Sequence, residues 1–131
     1  KSILKSKPTI SIFGDNHKTY DGTCERDFID INDIVNIHKL IIKNKLKIKK
    51  NIIMNCGYGN GISVLKIIKY FENIAKKPID IKILEKRKNE ISNIYANNNK
   101  ITKLFGWKPK YKNIFLSIKR SINWEKKISY N

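Results

Sequence analysis

The sequence predicts one domain of the α/β class. Short β-branched and aromatic segments alternate along the chain with longer segments whose apolar residues recur at helical spacing. The 131 residues are 40% hydrophobic, which is enough for a core and excludes a chain that is disordered throughout. We find no internal repeat and no clean linker, so residues 1–131 are expected to form a single unit.

The first half of the chain contains two predicted strands and one predicted helix. Thr9–Phe13 is β-branched and aromatic and is closed by Gly14, which predicts a strand and a turn. A helix is predicted over residues 31–45, with Lys39 and Lys43 on its polar side. A basic turn at residues 47–50 leads into Ile52–Asn55, which is predicted as a buried strand. The predicted apolar face of the helix consists of Ile31, Ile34, Val35, His38, Ile41 and Ile42.

The second half predicts three helices and one strand. Ser63 is a natural N-cap, and the helix behind it ends at Lys76, Lys77 and Pro78. Residues 79–84 alternate as a half-buried strand, residues 85–94 form a charged loop, and a short helix begins at Asn97 or Asn98 and ends at Gly106. Asn113 caps a last helix. The inner faces of the first and last of these helices consist of Val64, Leu65, Ile68, Phe71 and Ala75, and of Ile114, Ile118 and Ile122.

The charge of the chain is strongly basic but is of an unusual kind. Lys and Arg number 28 against 11 Asp and Glu, a net charge of +17, yet 25 of the 28 are Lys. The lysines are scattered and accompany 26 Ile and 16 Asn, which share adenine- and thymine-rich codons. Arg, the side chain that reads guanine and stacks on bases, is scarce. We therefore interpret the charge as compositional and expect no nucleic-acid partner, with polyanion binding as the alternative.

The cysteine content and the hydropathy indicate the cellular compartment in which the protein is expected. The two cysteines, Cys24 and Cys56, supply neither a disulfide framework nor the paired CxxC spacing of a zinc knuckle, so we expect no metal. No apolar run is long enough to cross a membrane, and no secretory signal opens the chain. We expect a cytoplasmic protein with no membrane partner. Because the chain begins with Lys1 rather than Met, we also expect it to be a piece of something longer.

A glycine-rich segment, Asn55-Cys56-Gly57-Tyr58-Gly59-Asn60-Gly61, lies between a predicted strand and a predicted helix. Backbone amides at such a position can cradle an anion. The spacing G-x-G-x-G superficially resembles the first motif of S-adenosylmethionine-dependent methyltransferases, with Glu85 placed as the acid that binds a ribose. Asn55 stands where that motif has an acid, and fewer than 50 residues follow Glu85. A tight turn that requires glycine for steric reasons is the favoured interpretation.

No catalytic group is predicted. His17 falls in a loop, His38 is interpreted as a core histidine, and neither cysteine has a histidine near it in sequence. Arg26 and Arg87 differ from these, because a chain that uses Lys for nearly every cation has kept Arg at two loop positions. The guanidinium fork suits a diphosphate, whereas two surface arginines retained by chance is the alternative.

Four motifs in order together resemble the UDP-glucose 4-epimerase family, which belongs to the extended short-chain dehydrogenases/reductases. They are Ile12-Phe13-Gly14-Asp15, Asp21-Gly22-Thr23-Cys24-Glu25-Arg26-Asp27-Phe28-Ile29, Asn55 to Val64 with its three glycines, and Gly106-Trp107-Lys108-Pro109. The resemblance covers nearly the whole chain. It implies a small C-terminal substrate-binding lobe that lacks the N-terminal NAD-binding Rossmann domain, so that residues 1–131 are a single UDP-sugar-binding domain.

The resemblance also assigns roles to individual residues. The strand of Ser11, Ile12 and Phe13 lines a uridine pocket, with Phe13 near the base. Arg26 and Arg87 contact the diphosphate. The remaining assignments are Phe28 in place of a neighbouring Tyr, Val64 as an apolar contact to the nucleotide, Glu90 as the acid on a ribose hydroxyl, and Ile94 at the position that governs whether an N-acetylated sugar fits.

Three residues depart from the family pattern. Asn89 and Glu90 replace a Gly and an Asp, which alters the turn and moves the ribose contact by one methylene, and Phe28 lacks a hydroxyl. No segment matches the NAD fingerprint or the catalytic Tyr and Lys of the family. The resemblance thus implies a lobe that binds a UDP-sugar but is inactive alone. The full-length form would be a homodimeric isomerase that interconverts UDP-glucose and UDP-galactose through a 4-keto sugar with NAD as cofactor.

Overall fold

The computed structural model describes residues 4–45, 48 and 51–129, and over these ranges the chain is an α/β domain, as the sequence predicts. Five strands and four helices are found in this part of the chain. In chain order they are β1 (Thr9–Phe13), β2 (Glu25–Arg26), α1 (Ile31–Lys43), β3 (Ile62–Ser63), α2 (Val64–Ala75), β4 (Asp80–Leu84), β5 (Asn93–Ile94), α3 (Asn99–Phe105) and α4 (Ile114–Ser129).

The strands form two small sheets. β1 and β4 pair in parallel, with Thr9 opposite Asp80 and Phe13 opposite Leu84. Helix α2 precedes β4 and covers one face of this pair, as expected for a crossover connection between parallel strands. The second sheet has the order β3-β2-β5, in which β2 is antiparallel to β3 and parallel to β5. It brings Arg26 opposite Ile94.

The core consists of three apolar clusters. Ile12, Ile68 and Ile79 are buried between the first sheet and α2, and the whole predicted inner face of α2 packs around them. A second cluster places Ile37, Ile101 and Trp107 together, and joins α1 to α3. In the third, Ile67 of α2 packs against Ile114, Ile118 and Ile122, which confirms the predicted inner face of α4.

Three helix ends follow the predicted capping residues, whereas Asn98, which precedes α3, makes no capping hydrogen bond with its side chain. Ser63 accepts a hydrogen bond from the amide of Lys66 at the start of α2, and Asn113 accepts one from Leu116 at the start of α4. Gly106 ends α3 in the left-handed conformation, with φ of 65°. The N-cap of α1 is Asp30, whose carboxylate accepts a hydrogen bond from the amide of Asn32. None of the helices in the described ranges is both long and apolar enough to span a bilayer.

The predicted apolar face of α1 is wrong for most of its residues. Ile31, Val35, His38 and Ile42 are exposed. The face that packs on the core contains Ile37, Leu40, a fully buried Asp33 and, from the predicted set, Ile41. The Asp33 carboxylate accepts hydrogen bonds from the Tyr58 hydroxyl and from the amides of Lys110 and Tyr111. A charged residue can occupy a core position when its oxygens accept hydrogen bonds in this way. Because Asp33 counts as polar in a hydropathy pattern, the pattern did not identify the buried face of this helix.

The predicted strand at Ile52–Asn55 is also wrong. These residues lie outside the ladders of both sheets, and their burial alternates, with Ile53 87% exposed. A strand requires a neighbour that takes up its backbone amides and carbonyls, and the described residues provide none for this segment. Instead, the Ile53 carbonyl accepts a hydrogen bond from the Lys100 ammonium group. Most of the predicted basic turn at residues 47–50 lies outside the described residues.

Candidate functional site

The loop after β1 is held in place by hydrogen bonds to β4 and to the start of α2. Gly14 has a φ of 78° and donates its amide to the carbonyl of Leu84, which ties the end of β1 to β4. The Asp21 carboxylate accepts hydrogen bonds from the amide and hydroxyl of Thr23 and from the hydroxyl of Ser63. Burial raises the pKa of Asp21, but the hydrogen bonds from Ser63 and Thr23 outweigh it and leave that pKa below its usual value. The loop is therefore attached to the first turn of α2.

The glycine-rich loop binds a carboxylate of the protein itself. The amides of Tyr58 and Gly59 each donate to the Asp27 carboxylate over 2.9 Å, and the amide of Ala96 donates a third hydrogen bond over 3.1 Å. A Cβ atom on Gly57 would lie 2.6 Å from the Cβ of Ala96, so glycine is required there for steric reasons. These amides are not presented to an external phosphate, and the described residues therefore do not fit a dinucleotide or an S-adenosylmethionine cofactor at this loop.

Arg26 and Glu90 form an ion pair beside the second sheet. Nη2 of Arg26 donates to Oε1 of Glu90 over 3.4 Å, and Nη1 donates to the carbonyls of Ser92 and Glu25 over 3.2 and 2.8 Å. The Arg26 side chain keeps 28% of its surface exposed and that of Glu90 keeps 15%. The guanidinium is thus oriented by three acceptors while part of it still faces solvent.

Arg87 and Phe13 form the second pair of the site. The guanidinium carbon of Arg87 lies 3.9 Å above the centre of the Phe13 ring, which is a cation–π contact. Arg87 belongs to a tight turn in which the amide of Glu90 donates to the carbonyl of Arg87 over 3.2 Å. Asn89 adopts a φ of 60° in this turn. Asn tolerates that conformation better than most residues, so the turn is compatible with Asn at the position where the family pattern has Gly.

The other predicted site residues fall in different surroundings. Ser11 is exposed, while the side chain of Ile12 is buried in the core, which leaves only its backbone for a ligand. Ile94 is 47% exposed and lies opposite Arg26 on β5. Phe28 packs with the cluster between α2 and α4, and Val64 packs against the Ile12 cluster. The structure therefore groups Phe13, Arg26, Arg87, Glu90 and Ile94. It buries the side chain of Ile12 in the core and packs the partly buried Phe28 and Val64 against apolar clusters.

His17 and Cys24 are close together, which sequence reasoning missed. Both side chains are buried, and the Cys24 sulfur lies 3.3 and 3.5 Å from the two ring nitrogens of His17. Nε2 of His17 is also 3.2 Å from the carbonyl oxygen of Phe13, and Nδ1 is 3.4 Å from the Ser92 hydroxyl. His17 therefore lies between the strand that carries Phe13 and the segment that follows Glu90. Gly22, which lies between His17 and Cys24 in the sequence and predicts a turn, was the feature that could have indicated their proximity.

His38 differs from its sequence interpretation as a core histidine. It is exposed on α1, and its Nδ1 lies 2.8 Å from the carbonyl oxygen of Ile34 in the preceding turn. The interpretation failed because it depended on the misplaced apolar face of this helix.

The arrangement is suited to bind an anion beside an aromatic group. Two guanidinium groups, one aromatic ring and one carboxylate come from β1, β2 and the turn at residues 87–90. Guanidinium groups pair with phosphate oxygens, and an aromatic side chain can stack on a nucleobase. A carboxylate accepts hydrogen bonds from hydroxyl groups.

The chain was compared with protein-family models, curated sequences and solved structures. No family model matches the chain. A UDP-glucose 4-epimerase of Halalkalibacterium halodurans is 31% identical over 123 residues, which are 94% of this chain and 37% of that protein. The UDP-Glc/GlcNAc 4-epimerase of Campylobacter jejuni superimposes with a TM-score of 0.83 at 32% identity, over 96% of this chain and 38% of its own.

The UDP-glucose 4-epimerase of Bifidobacterium longum, solved in complex with NAD⁺ and UDP, superimposes with a TM-score of 0.81 at 32% identity. The alignment covers 96% of this chain and 37% of that structure. The chain thus spans little more than one third of the length of the relatives it matches, and the matched region is their C-terminal part. The resemblance recognised from the four sequence motifs is confirmed: the chain is a homologue of the UDP-glucose 4-epimerases that corresponds to their C-terminal part.

Proposed function

We propose that this chain is the UDP-sugar-binding part of a UDP-glucose 4-epimerase. The observation that carries the proposal is the position of Arg26 and Arg87 in a homologue of these enzymes. Two of the three arginines of the chain lie next to one turn, and each is already oriented, Arg26 by Glu90 and Arg87 by Phe13. In its full form the protein would interconvert UDP-glucose and UDP-galactose.

The binding step can be derived from these side chains. The exposed parts of both guanidiniums would donate to the oxygens of the diphosphate, and Phe13 would pack beside the uracil. Oε1 of Glu90, which also accepts from Arg26, would accept a hydrogen bond from a ribose hydroxyl. Ile94, half exposed next to Arg26, would border the sugar. Ser11 and the backbone of Ile12 would line the same strand. Phe28 and Val64 are partly buried, and we propose that they act as apolar contacts that fix the position of the neighbouring backbone.

This chain is proposed to be inactive alone. Its glycine-rich loop is engaged by Asp27 and does not fit a dinucleotide, so the hydride chemistry of the relatives has no cofactor site among the described residues. NAD would be held by the part of the relatives that this chain does not match, and there it would supply the hydride chemistry. We further propose that the full-length protein is a cytoplasmic homodimer of galactose metabolism, with two free cysteines that suit a reducing compartment.

The experiment is a calorimetric titration of the chain with UDP. Arg26→Ala and Arg87→Ala should each weaken binding about tenfold or more, since each removes a charged hydrogen-bond donor to phosphate. Lys88→Ala is the matched control, because Lys88 is an exposed cation of the same turn and has no assigned contact. If Lys88→Ala weakens binding as much as the two arginine variants, the site is only a general basic surface and the proposal is wrong.

The net charge of +17 supports a second candidate, a basic module that binds nucleotide sugars or polyanions without catalysis. Such a module would bind heparin or polyphosphate as tightly as UDP, and with a steep dependence on salt. The epimerase proposal instead expects selective binding of UDP that depends on Arg26 and Arg87.

A further inference from the structure

Three potential metal ligands converge beneath the candidate site. His17, Cys24 and Glu90 each offer one ligand atom, and these atoms all lie within 4.8 Å of one another. His17 is 4% exposed and Cys24 is 6% exposed, so the group is shielded from solvent on the side of the loop. The loop after β1 contributes two of the side chains, and the turn that carries Arg87 contributes the third.

The spacing of the sulfur and the imidazole suits a tetrahedral metal ion. Zinc binds thiolate sulfur at about 2.3 Å and imidazole nitrogen at about 2.0 to 2.1 Å, which places the two ligand atoms about 3.5 Å apart in a tetrahedron. The Cys24 sulfur is 3.3 and 3.5 Å from the nitrogens of His17. A hydrogen bond between thiol and imidazole has a similar length, so the distance alone does not distinguish a metal site from a neutral pair.

Two further contacts favour a cation. His17 Nε2 lies 3.2 Å from the carbonyl oxygen of Phe13, and donation of its proton to that oxygen would leave Nδ1 as the metal ligand. Ligating histidines commonly donate their other nitrogen in this manner. Glu90 uses Oε1 for Arg26, whereas its Oε2 is buried and has no hydrogen-bond partner among the described residues. A buried carboxylate oxygen without a partner is costly, and a cation would satisfy it.

We propose that His17, Cys24 and Glu90 bind a divalent cation of the zinc class. One nitrogen, one sulfur and one carboxylate oxygen are the ligands that zinc takes, whereas magnesium and calcium select oxygen alone. Three protein ligands leave the fourth tetrahedral position to water. The ion would fasten the loop after β1 to the turn at residues 87–90. The proposal does not depend on nucleotide binding, and its test contains no nucleotide.

The test uses Co²⁺ as a spectroscopic substitute for zinc. The reduced 131-residue chain, stripped of metal with a chelator, is titrated with Co²⁺, and the cobalt–thiolate absorption is followed. We expect saturation at one ion per chain and displacement by Zn²⁺ but not by Mg²⁺. His17→Ala and Cys24→Ser should weaken binding about tenfold or more. The chain supplies matched controls, since it contains one other histidine and one other cysteine: His38→Ala and Cys56→Ser should bind as the parent does.

Because Cys24 is buried, Cys24→Ser could lose cobalt binding simply by unfolding the chain, and a second variant is therefore needed. Glu90→Gln retains the size of a side chain that is 15% exposed and removes its charge, so the fold should survive, and this is checked by the cooperativity of the melt. It should lower cobalt affinity while the thiolate absorption persists at saturation. The proposal is overturned if no thiolate absorption develops, if Cys56→Ser abolishes it as Cys24→Ser does, or if folded Glu90→Gln binds cobalt with parental affinity.

Discussion

The Asp27 carboxylate accepts the backbone amide of Gly59 at 2.9 Å, across 32 residues of sequence. The same carboxylate accepts the amides of Tyr58 and Ala96, so one side chain joins the end of β2, the glycine-rich loop and the segment after β5. Asp27 directly follows Arg26, and the geometry of this junction therefore sets the position of a proposed phosphate ligand.

Asp27→Asn should destabilise the fold by about 2 kcal/mol. The substitution replaces one acceptor oxygen with an NH₂ group that faces a backbone amide and so leaves a partly buried donor without an acceptor. Urea unfolding followed by circular dichroism measures the change. Asp80→Asn, at an exposed carboxyl on β4, is the control and should stay within about 0.5 kcal/mol of the parent. Equal stability of the two variants would mean that the Asp27 hydrogen bonds contribute nothing net.

Two glycines of the same loop should differ in their tolerance of alanine. A Cβ on Gly57 would contact Ala96 at 2.6 Å, whereas a Cβ on Gly59 would meet nothing closer than 3.5 Å. Gly57→Ala should therefore cost about 2 to 3 kcal/mol through overpacking. Gly59→Ala should cost about 1 kcal/mol, because alanine would have to adopt its φ of 73°. The same unfolding assay measures both, and the reverse order would contradict the packing described for Gly57.

The longer elements could be predicted from the sequence because local signals determine them. Periodicity and capping predict β1, β4, α1, α2 and α3 to within about two residues, and they predict the start of α4. The two-residue strands β2, β3 and β5 were not predicted, because such short pairings depend on contacts between distant parts of the chain. The segment Ile52–Asn55 carries the local composition of a strand, and it lacks a described neighbour to pair with.

For the candidate site, the sequence likewise predicts some features and not others: it identifies the residues but not their contacts. Arg26 and Arg87 could be singled out because Arg is rare in this chain, and the motifs added Phe13 and Glu90. The contacts of these residues could not be predicted, because the ion pair and the cation–π contact depend on how two loops meet. The proximity of His17 to Cys24 was hidden for the same reason, as the intervening turn folds back through the amide of His17 and the carbonyl of Gly22.

The turn at Asn89 provides a test of backbone conformation. Asn89→Val should destabilise the fold by about 1 to 2 kcal/mol and weaken UDP binding, because a β-branched residue resists the φ of 60° that orients Arg87 and Glu90. Asn89→Gly restores the residue of the family pattern and should retain or slightly increase stability. Thermal melts and UDP titration measure both effects. Parental behaviour of Asn89→Val would indicate that this turn does not constrain the site.

The Asp30–Arg120 ion pair should make stability depend on pH in the acid range. Burial raises the pKa of Asp30, but hydrogen bonds from Ser117, Arg120 and Asn32 outweigh it and lower the pKa from 3.8 to about 2. Since the carboxylate is favoured in the folded state, its stabilising contribution is complete above pH 3.8 and is lost as the pH falls through about 2.

Between pH 5 and pH 2, the parent should therefore lose more stability than Asp30→Asn, which retains the helix cap and removes the ionisable group. Arg120→Ala should cost about 1 kcal/mol near neutral pH, since the arginine is half exposed and its charge is partly screened. Urea unfolding at several pH values measures both effects, with Asp80→Asn as the matched control. If Asp30→Asn loses stability on acidification as steeply as the parent, the ionisation of Asp30 is not coupled to folding.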